Sequence, residues 1–250
     1  MANRRFLAKL AESPIVRMRE KMKENAPSLL DNPAWFALTT RQANLALGTG
    51  AARRYDAAIA PFAGVDAPTQ DALQALKTLI SSGESAVLLS TADLPAIEGL
   101  KVERYLSLLQ MVDEMTVKPT DDTQVTRLHP TDANDMLDLA MRAKPGPFGI
   151  RTIETGNYIG IRENGELIAM AGERMRLDGY VEISAVCVDD RYRGRGIAAR
   201  LMNMLRGEIQ ARGDTPFLHV LDENAPAIAL YERLGFKARK RFTLYRVSVD

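Results

Sequence analysis

The stretch VEISAVCVDDRYRGRGIAARL, Val181 to Leu201, constrains the fold of this chain more than any other. Val181 to Val188 consists of β-branched and small apolar residues, with Glu182 and Ser184 as its polar members, which suits a sheet interior. The turn that follows sets Arg191, Arg193 and Arg195 around Gly194 and Gly196. Ile197, Leu201, Leu205 and Ile209 then recur at helical spacing, so a helix leaves directly from the glycines. A helix start presents unpaired N–H groups and the positive end of the dipole. Glycine there removes the Cβ that would hold an anion away from the backbone. The expected guest is a phosphate or pyrophosphate.

At 250 residues the chain has room for one large domain or two small ones. Its 33 Lys and Arg balance 32 acids, so no overall charge points to nucleic acid or a membrane surface. A single cysteine, Cys187, and two histidines argue against a disulfide framework and a structural zinc site, so no metal is expected. No apolar run approaches the roughly 20 residues of a membrane-crossing helix. The opening MANRRFLAKLAESP is too broken for a secretory leader, and the expected setting is cytoplasmic.

Residues 1–30 are charged and predict a solvated helical arm. Residues 31–120 predict a small α/β domain without a cofactor motif. Within it, the segment from Asn32 carrying Trp35, Phe36 and Leu38 reads as a strand or short helix entering a core. Thr69 to Ile80 reads as an amphipathic helix, Ser85 to Ser90 as a buried strand, and Leu100 to Val112 as another helix. A polar, proline-bearing segment places a boundary near 113–124. Residues 123–250 then predict a strand at Val125 to Leu128, a helix over Thr131 to Arg142, and an irregular loop, KPGPFGIRTIETG. Strands at Asn157 to Arg162 and Leu167 to Met175 are joined through Asn164-Gly165, a hairpin signal. After the glycine-started helix come a strand at Pro216 to Leu221, a short helix from Asn224 to Leu234, and a strand over Arg241 to Val249. Lys237 to Arg241, KARKR, reads as an exposed hairpin.

Three readings of the glycine turn compete. Gly194 to Ala199 fits G-x-G-x-x-A, but a dinucleotide fold needs its glycines directly at the strand end. Here the residues Asp189 to Arg193 intervene, and Asp222 and Glu223 come too late for the ribose acid. A solvated basic turn or nucleic-acid contact lacks aromatic partners. The third reading rests on a resemblance.

Arg191-x-x-Gly194-x-Gly196 resembles the Arg/Gln-x-x-Gly-x-Gly/Ala signature of the GNAT N-acetyltransferase superfamily. VCVDDRYRGRGIAARLM and FLHVLDENAPAIALYERLGF are similar to that superfamily's two main motifs at their usual separation, and the resemblance covers roughly residues 123–250. The PGPF…RT and MAGER stretches are similar to a branch that includes glycine N-acyltransferase-like proteins, in which a degenerate GNAT-like half precedes the catalytic one. The implied fold is α/β: a GNAT-like, mixed and mostly antiparallel sheet flanked by helices, preceded by a smaller, degenerate GNAT-like domain that binds no coenzyme.

The resemblance implies acetyl-CoA as co-substrate. Arg193, Gly194, Arg195, Gly196, Ile197 and Ala198 would cradle its pyrophosphate, mainly through backbone N–H groups, with Arg191 opening the signature. The backbone of Val186, Cys187 and Val188 would pair with the pantetheine arm, which Asn224 and Ala227 would flank. Tyr231, beside that arm, falls where the superfamily places its general acid. Its ordinary pKa of roughly 10 lies above the thiol value of about 8.5, so it can protonate a departing thiolate.

Transfer to an amine also calls for a base. Glu182, four residues before Val186, matches the general-base position of histone-type members, and period-two geometry puts Glu182, Ser184, Val186 and Val188 on one face. His219 is a second candidate base. Cys187 reads as a buried strand residue, since direct transfer needs no acyl-enzyme. The expected activity is an acetyl-CoA-dependent N-acetyltransferase acting on a small-molecule or peptide amine. The alternative is a non-catalytic acyl-CoA-binding or regulatory module. The sequence sets neither the acceptor nor the oligomeric state.

Overall fold

The computed structural model describes residues 28–118 and 121–249. The expected arm, residues 1–30, falls almost wholly outside the described residues. Two compact units divide the chain, Met1–Asp31 and Asn32–Asp250, and the second carries everything below.

That unit begins with helix α1 (Pro33–Thr39), strands β1 (Ala46–Leu47), β2 (Ala52–Tyr55) and β3 (Phe62–Val65), helix α2 (Gln70–Lys77) and strands β4 (Ser85–Ser90) and β5 (Lys101–Asp113). It continues through β6 (Val125–Leu128), α3 (Ala133–Ala143), β7 (Tyr158–Glu163), β8 (Glu166–Leu177), β9 (Tyr180–Val188), α4 (Ile197–Ala211), β10 (Thr215–Leu221), α5 (Ala225–Leu234) and β11 (Phe236–Ser248). Local signals explain most boundaries. Thr69 caps α2 by accepting from the Ala72 N–H at 3.2 Å. Asn164 and Gly165, with φ of 52° and 84°, make the tight turn between β7 and β8.

Among the described residues the eleven strands form one sheet in the order β1-β2-β3-β4-β11-β5-β10-β9-β8-β7-β6. Only β3–β4 and β9–β10 pair in parallel; all other neighbours are antiparallel. The mixed, mostly antiparallel sheet flanked by helices is therefore present.

Two elements correct the sequence reading. Leu100 to Val112 is strand β5 rather than a helix. Its whole length pairs with β11, and its second half also pairs with β10, so tertiary ladders override a pattern that looked helical. Lys237 to Arg241 lies inside β11, not in a hairpin. The two halves trade positions through these strands: β11 lies between β4 and β5, and β5 lies between β11 and β10. Segments before and after residues 113–124 thus share one continuous sheet.

Helix α4 covers one face. Leu201, Met202, Leu205 and Ile209 are fully buried against Ile168, Val181, Ile183, Leu218 and Val220. Helix α3 covers the other face near β9, where Met136 and Leu139 pack with Tyr158, Met170, Ala185 and Cys187. Burying each such large apolar side chain contributes roughly 1.5–3 kcal/mol.

Candidate active site

The site forms where β9 and β10 part. Their parallel ladder runs from Thr215↔Tyr180 to Phe217↔Glu182 and goes no further. Beyond it, β9 pairs with β8 alone, at Met170↔Cys187 and Ala169↔Val188. The other backbone edge of Val186 to Val188 faces a cleft of about 670 Å³, closed on its far side by α5.

A bulge shapes this edge. Four residues of β9 (Ser184 to Cys187) span what three residues of β8 (Gly172 to Met170) span, and Ala185 takes φ of 52°. The extra residue reverses the alternation. Val181 and Ile183 before it, and Val186 and Val188 after it, all face the α4 side, whereas Ala185 and Cys187 face α3. The expectation that Glu182 and Ser184 share a face with Val186 and Val188 is corrected by this one residue.

The turn into α4 leaves its backbone open. Gly194 and Gly196 adopt φ of 77° and 73°, a region that glycine enters without strain. Gly196 is the N-cap of α4 and offers no side chain, so the first N–H groups of the helix lack a side-chain cap. Nothing lies within 4 Å of where a Cβ would stand at either glycine. Val186, Cys187, Val188, Arg193, Gly194, Gly196, Ile197, Ala198, Asn224, Ala227 and Tyr231, all singled out from sequence, line this one cleft. Asn224 also caps α5, accepting from the Ala227 N–H at 3.2 Å.

Two arginines and the glutamate fall elsewhere. Arg191 turns back, donating from Nε to Asp189 Oδ1 at 2.9 Å and from Nη2 to Glu166 Oε1 at 2.6 Å. Those hydrogen bonds raise its own pKa and hold the Asp189 carboxyl down to about 2. Arg191 thus braces the turn instead of facing the cleft. Arg195 lies over the Tyr192 ring, 4.9 Å from its centroid, and is likewise outside the lining. Arg193 does line the cleft; among the described residues its only ion pair is to exposed Asp190, a contact of little strength.

Glu182 is wholly buried and absent from the cleft lining. Arg174 grips it with two hydrogen bonds, Nε to Oε2 at 2.9 Å and Nη2 to Oε1 at 2.6 Å. Burial pushes this carboxyl up, but the Arg174 guanidinium and then His219 outweigh it and bring it to about 2. So weak a base, with both oxygens engaged, does not fit the role expected of Glu182. His219 does not fit it either, since its side chain is 1% exposed.

The sequence reading missed Ala143, Tyr192, Ala199, Pro226, Leu230 and Arg233, which also line the cleft. Leu230 and Arg233 had a usable signal, lying three and six residues after Ala227 on one helix face. Tyr231 is mostly buried, which raises its pKa and keeps the phenol protonated. Burial pushes the Cys187 thiol up to about 12, as befits a strand residue and not a nucleophile. Among the described residues no group of three or more His, Cys, Asp or Glu is placed to hold a metal ion. None of their helices is long and apolar enough to cross a membrane.

The parted parallel strand pair and the uncapped helix start thus open onto one cleft. Comparison with known proteins gives the family. The FR47-like protein family matches residues 158–247. The N-alpha-acetyltransferase RimI of Mycobacterium tuberculosis is 39% identical over 98 residues, which are 37% of this chain and 60% of that protein. The [ribosomal protein bS18]-alanine N-acetyltransferase of Escherichia coli K12 is 31% identical over 118 residues, 45% of this chain and 79% of that one. The crystal structure of a GNAT-family acetyltransferase from Novosphingobium aromaticivorans superposes with a TM-score of 0.83 at 37% identity, covering 90% of this chain and all of that one. The chain belongs to the GNAT family of N-acetyltransferases, whose members use acetyl-CoA. These relatives carry the superfamily and not the narrower glycine N-acyltransferase-like branch.

Proposed function

We propose that the chain transfers an acetyl group from acetyl-CoA to an α-amino group, without a side-chain base. The observation that carries this reading is the lining of the cleft. Among the described residues that line it there is no carboxylate and no histidine, and Tyr231 stands there as a protonated phenol. An amine must then arrive neutral. At pH 7 a lysine-like amine is neutral in roughly one molecule in 2,000, an α-amino group in roughly one in ten, so the site favours the α-amine by a few hundredfold.

The residues fit the co-substrate. The uncapped N–H groups after Gly196, with Arg193 and Arg233 alongside, would hold the pyrophosphate. The free edge of Val186 to Val188 would pair with the pantetheine amides. Acetyl-CoA supplies the activated thioester. The neutral amine forms the new C–N bond, the C–S bond breaks, and Tyr231 gives its proton to the departing sulfur. The amine's surplus proton leaves to solvent, and solvent returns one to the Tyr231 phenolate. A peptide N-terminus is the acceptor most in keeping with relatives named for α-amino and alanine acetylation. A cytoplasmic setting accords with this reading.

The test is release of free thiol from acetyl-CoA in two peptide sets. One set has a free N-terminal alanine and no lysine; the other has a lysine and a blocked N-terminus. Turnover confined to the second set would defeat the proposal.

A further inference from the structure

A row of polar side chains crosses the sheet just where the cleft begins. Arg239 of β11 donates to Gln110 Oε1 at 2.8 Å, and Gln110 of β5 holds its Nε2 3.1 Å from His219 Nε2. His219 of β10 holds Nδ1 2.8 Å from Glu182 Oε1, and Arg174 of β8 grips Glu182 of β9 from beyond. The network fixes the protons. With its oxygen taken by Arg239, Gln110 presents N–H to the ring, so His219 Nε2 is the acceptor and Nδ1 carries hydrogen toward Glu182. Phe217 and Phe242 close on the imidazole edge to face, at 5.7 and 5.3 Å between centroids. The ring is locked on every side.

Its position gives this lock a task. The last ladder pair of β9 and β10 is Phe217↔Glu182, and His219 stands two residues past it, reaching back to Glu182. Three residues after Glu182, the bulge at Ala185 turns β9 away. The His219–Glu182 bond is therefore the last tie between the strands before they open. We infer that this bond is a clasp that fixes how far β9 and β10 part, and with it the width of the cleft that takes acetyl-CoA. His219 is thus a positioning residue and touches no substrate. The inference rests on the assignment of the cleft to acetyl-CoA.

The experiment compares the parent chain with His219→Leu and His219→Asn. It measures acetyl-CoA affinity by calorimetry, KM and kcat by thiol release, and melting temperature. His219→Leu should weaken acetyl-CoA binding and raise its KM by about tenfold or more, because a buried carboxylate oxygen loses one of its two donors and the strands lose their tie. His219→Asn, whose side-chain N–H stands near the position of Nδ1, should restore affinity to within about threefold of the parent. Gln110→Met leaves Glu182 untouched but lets the ring turn, and should cost about threefold in affinity. It serves if His219→Leu does not fold. Unchanged affinity in His219→Leu, or in Gln110→Met, would overturn the clasp. A loss of kcat with unchanged affinity would instead mark His219 as a base and overturn it too. A parent chain that binds no acetyl-CoA would overturn both the clasp and the cleft assignment.

Discussion

Arg206 of α4 and Asp113 of β5 meet as a buried, two-bonded ion pair, Nε to Oδ2 at 2.7 Å and Nη2 to Oδ1 at 2.8 Å. Their side chains are 2% and 0% exposed. Gln210 adds a bond to Asp113 Oδ2 at 3.0 Å, and Asn203 accepts from Arg206 Nη1 at 2.8 Å. The pair ties the helix that starts at the anion turn to a strand that comes from the first half of the chain. Removing one partner leaves a buried charge alone. Asp113→Ala should cost about 3–5 kcal/mol in urea unfolding, whereas Asp113→Leu with Arg206→Met should recover most of that loss.

Tyr231→Phe should lower kcat by about a hundredfold or more, the usual contribution of a general acid, while calorimetric affinity for acetyl-CoA stays as in the parent. Equal kcat in the two proteins would remove Tyr231 from the proton path.

In the proposed mechanism, which uses no side-chain base, the pH dependence belongs to the acceptor. The value of kcat/KM for the peptide should rise about tenfold per pH unit and level off only near the α-amino pKa, at roughly 7.7–8.0. Replacing the acceptor by an amine of higher pKa should move that plateau up with it. A plateau that stays fixed across acceptors would show an enzyme group at work.

Glu182 lies below its ordinary value in the fold, at about 2 against 4.5. A carboxylate depressed in this way stabilises the fold above its unfolded pKa, and that stability is lost as pH falls from about 4.5 toward 2. Unfolding midpoints in urea should drop across this window. In Glu182→Gln the drop should be shallower, though the variant starts from lower stability because Arg174 is left unpaired.

Gln42 is saturated. Its Nε2 donates to the Thr155 and Arg174 carbonyls, both at 2.8 Å, and its Oε1 accepts from the Tyr55 hydroxyl at 2.6 Å and the Arg176 N–H at 3.1 Å. One amide from the first half thus pins the end of the 144–156 loop and the strand that carries Arg174. Gln42→Ala should destabilise by at least about 2 kcal/mol, measured by chemical denaturation, since several buried polar groups lose partners together.

How much of this was legible in the sequence follows from the range of each interaction. The glycine turn, α4, the Asn164-Gly165 hairpin and the Asn224 cap rest on contacts a few residues apart, and their residues announce them. Most of the cleft lining was legible for the same reason. Strand β5 was not, because its ladder partners lie more than 100 residues away and its own spacing of Val102, Leu106 and Leu109 imitates a helix. Glu182 was misread because a single extra residue at Ala185, invisible to period-two counting, puts Glu182 and Ser184 on the face opposite Val186 and Val188. Arg191 fitted the motif by position, yet Asp189 and Glu166 claim its side chain, and no spacing rule reveals that competition.

The interleaving of β11 and β5 makes the two halves inseparable in a practical sense. A fragment beginning near residue 123 would expose the edge of β10 that β5 covers, and both edges of β11, inviting edge-to-edge aggregation. A protease cut between Glu114 and Asp122 would sever one peptide bond but leave thirteen-residue strands β5 and β11 zipped along their length. The nicked protein should therefore travel as a single species through gel filtration and come apart only in denaturant.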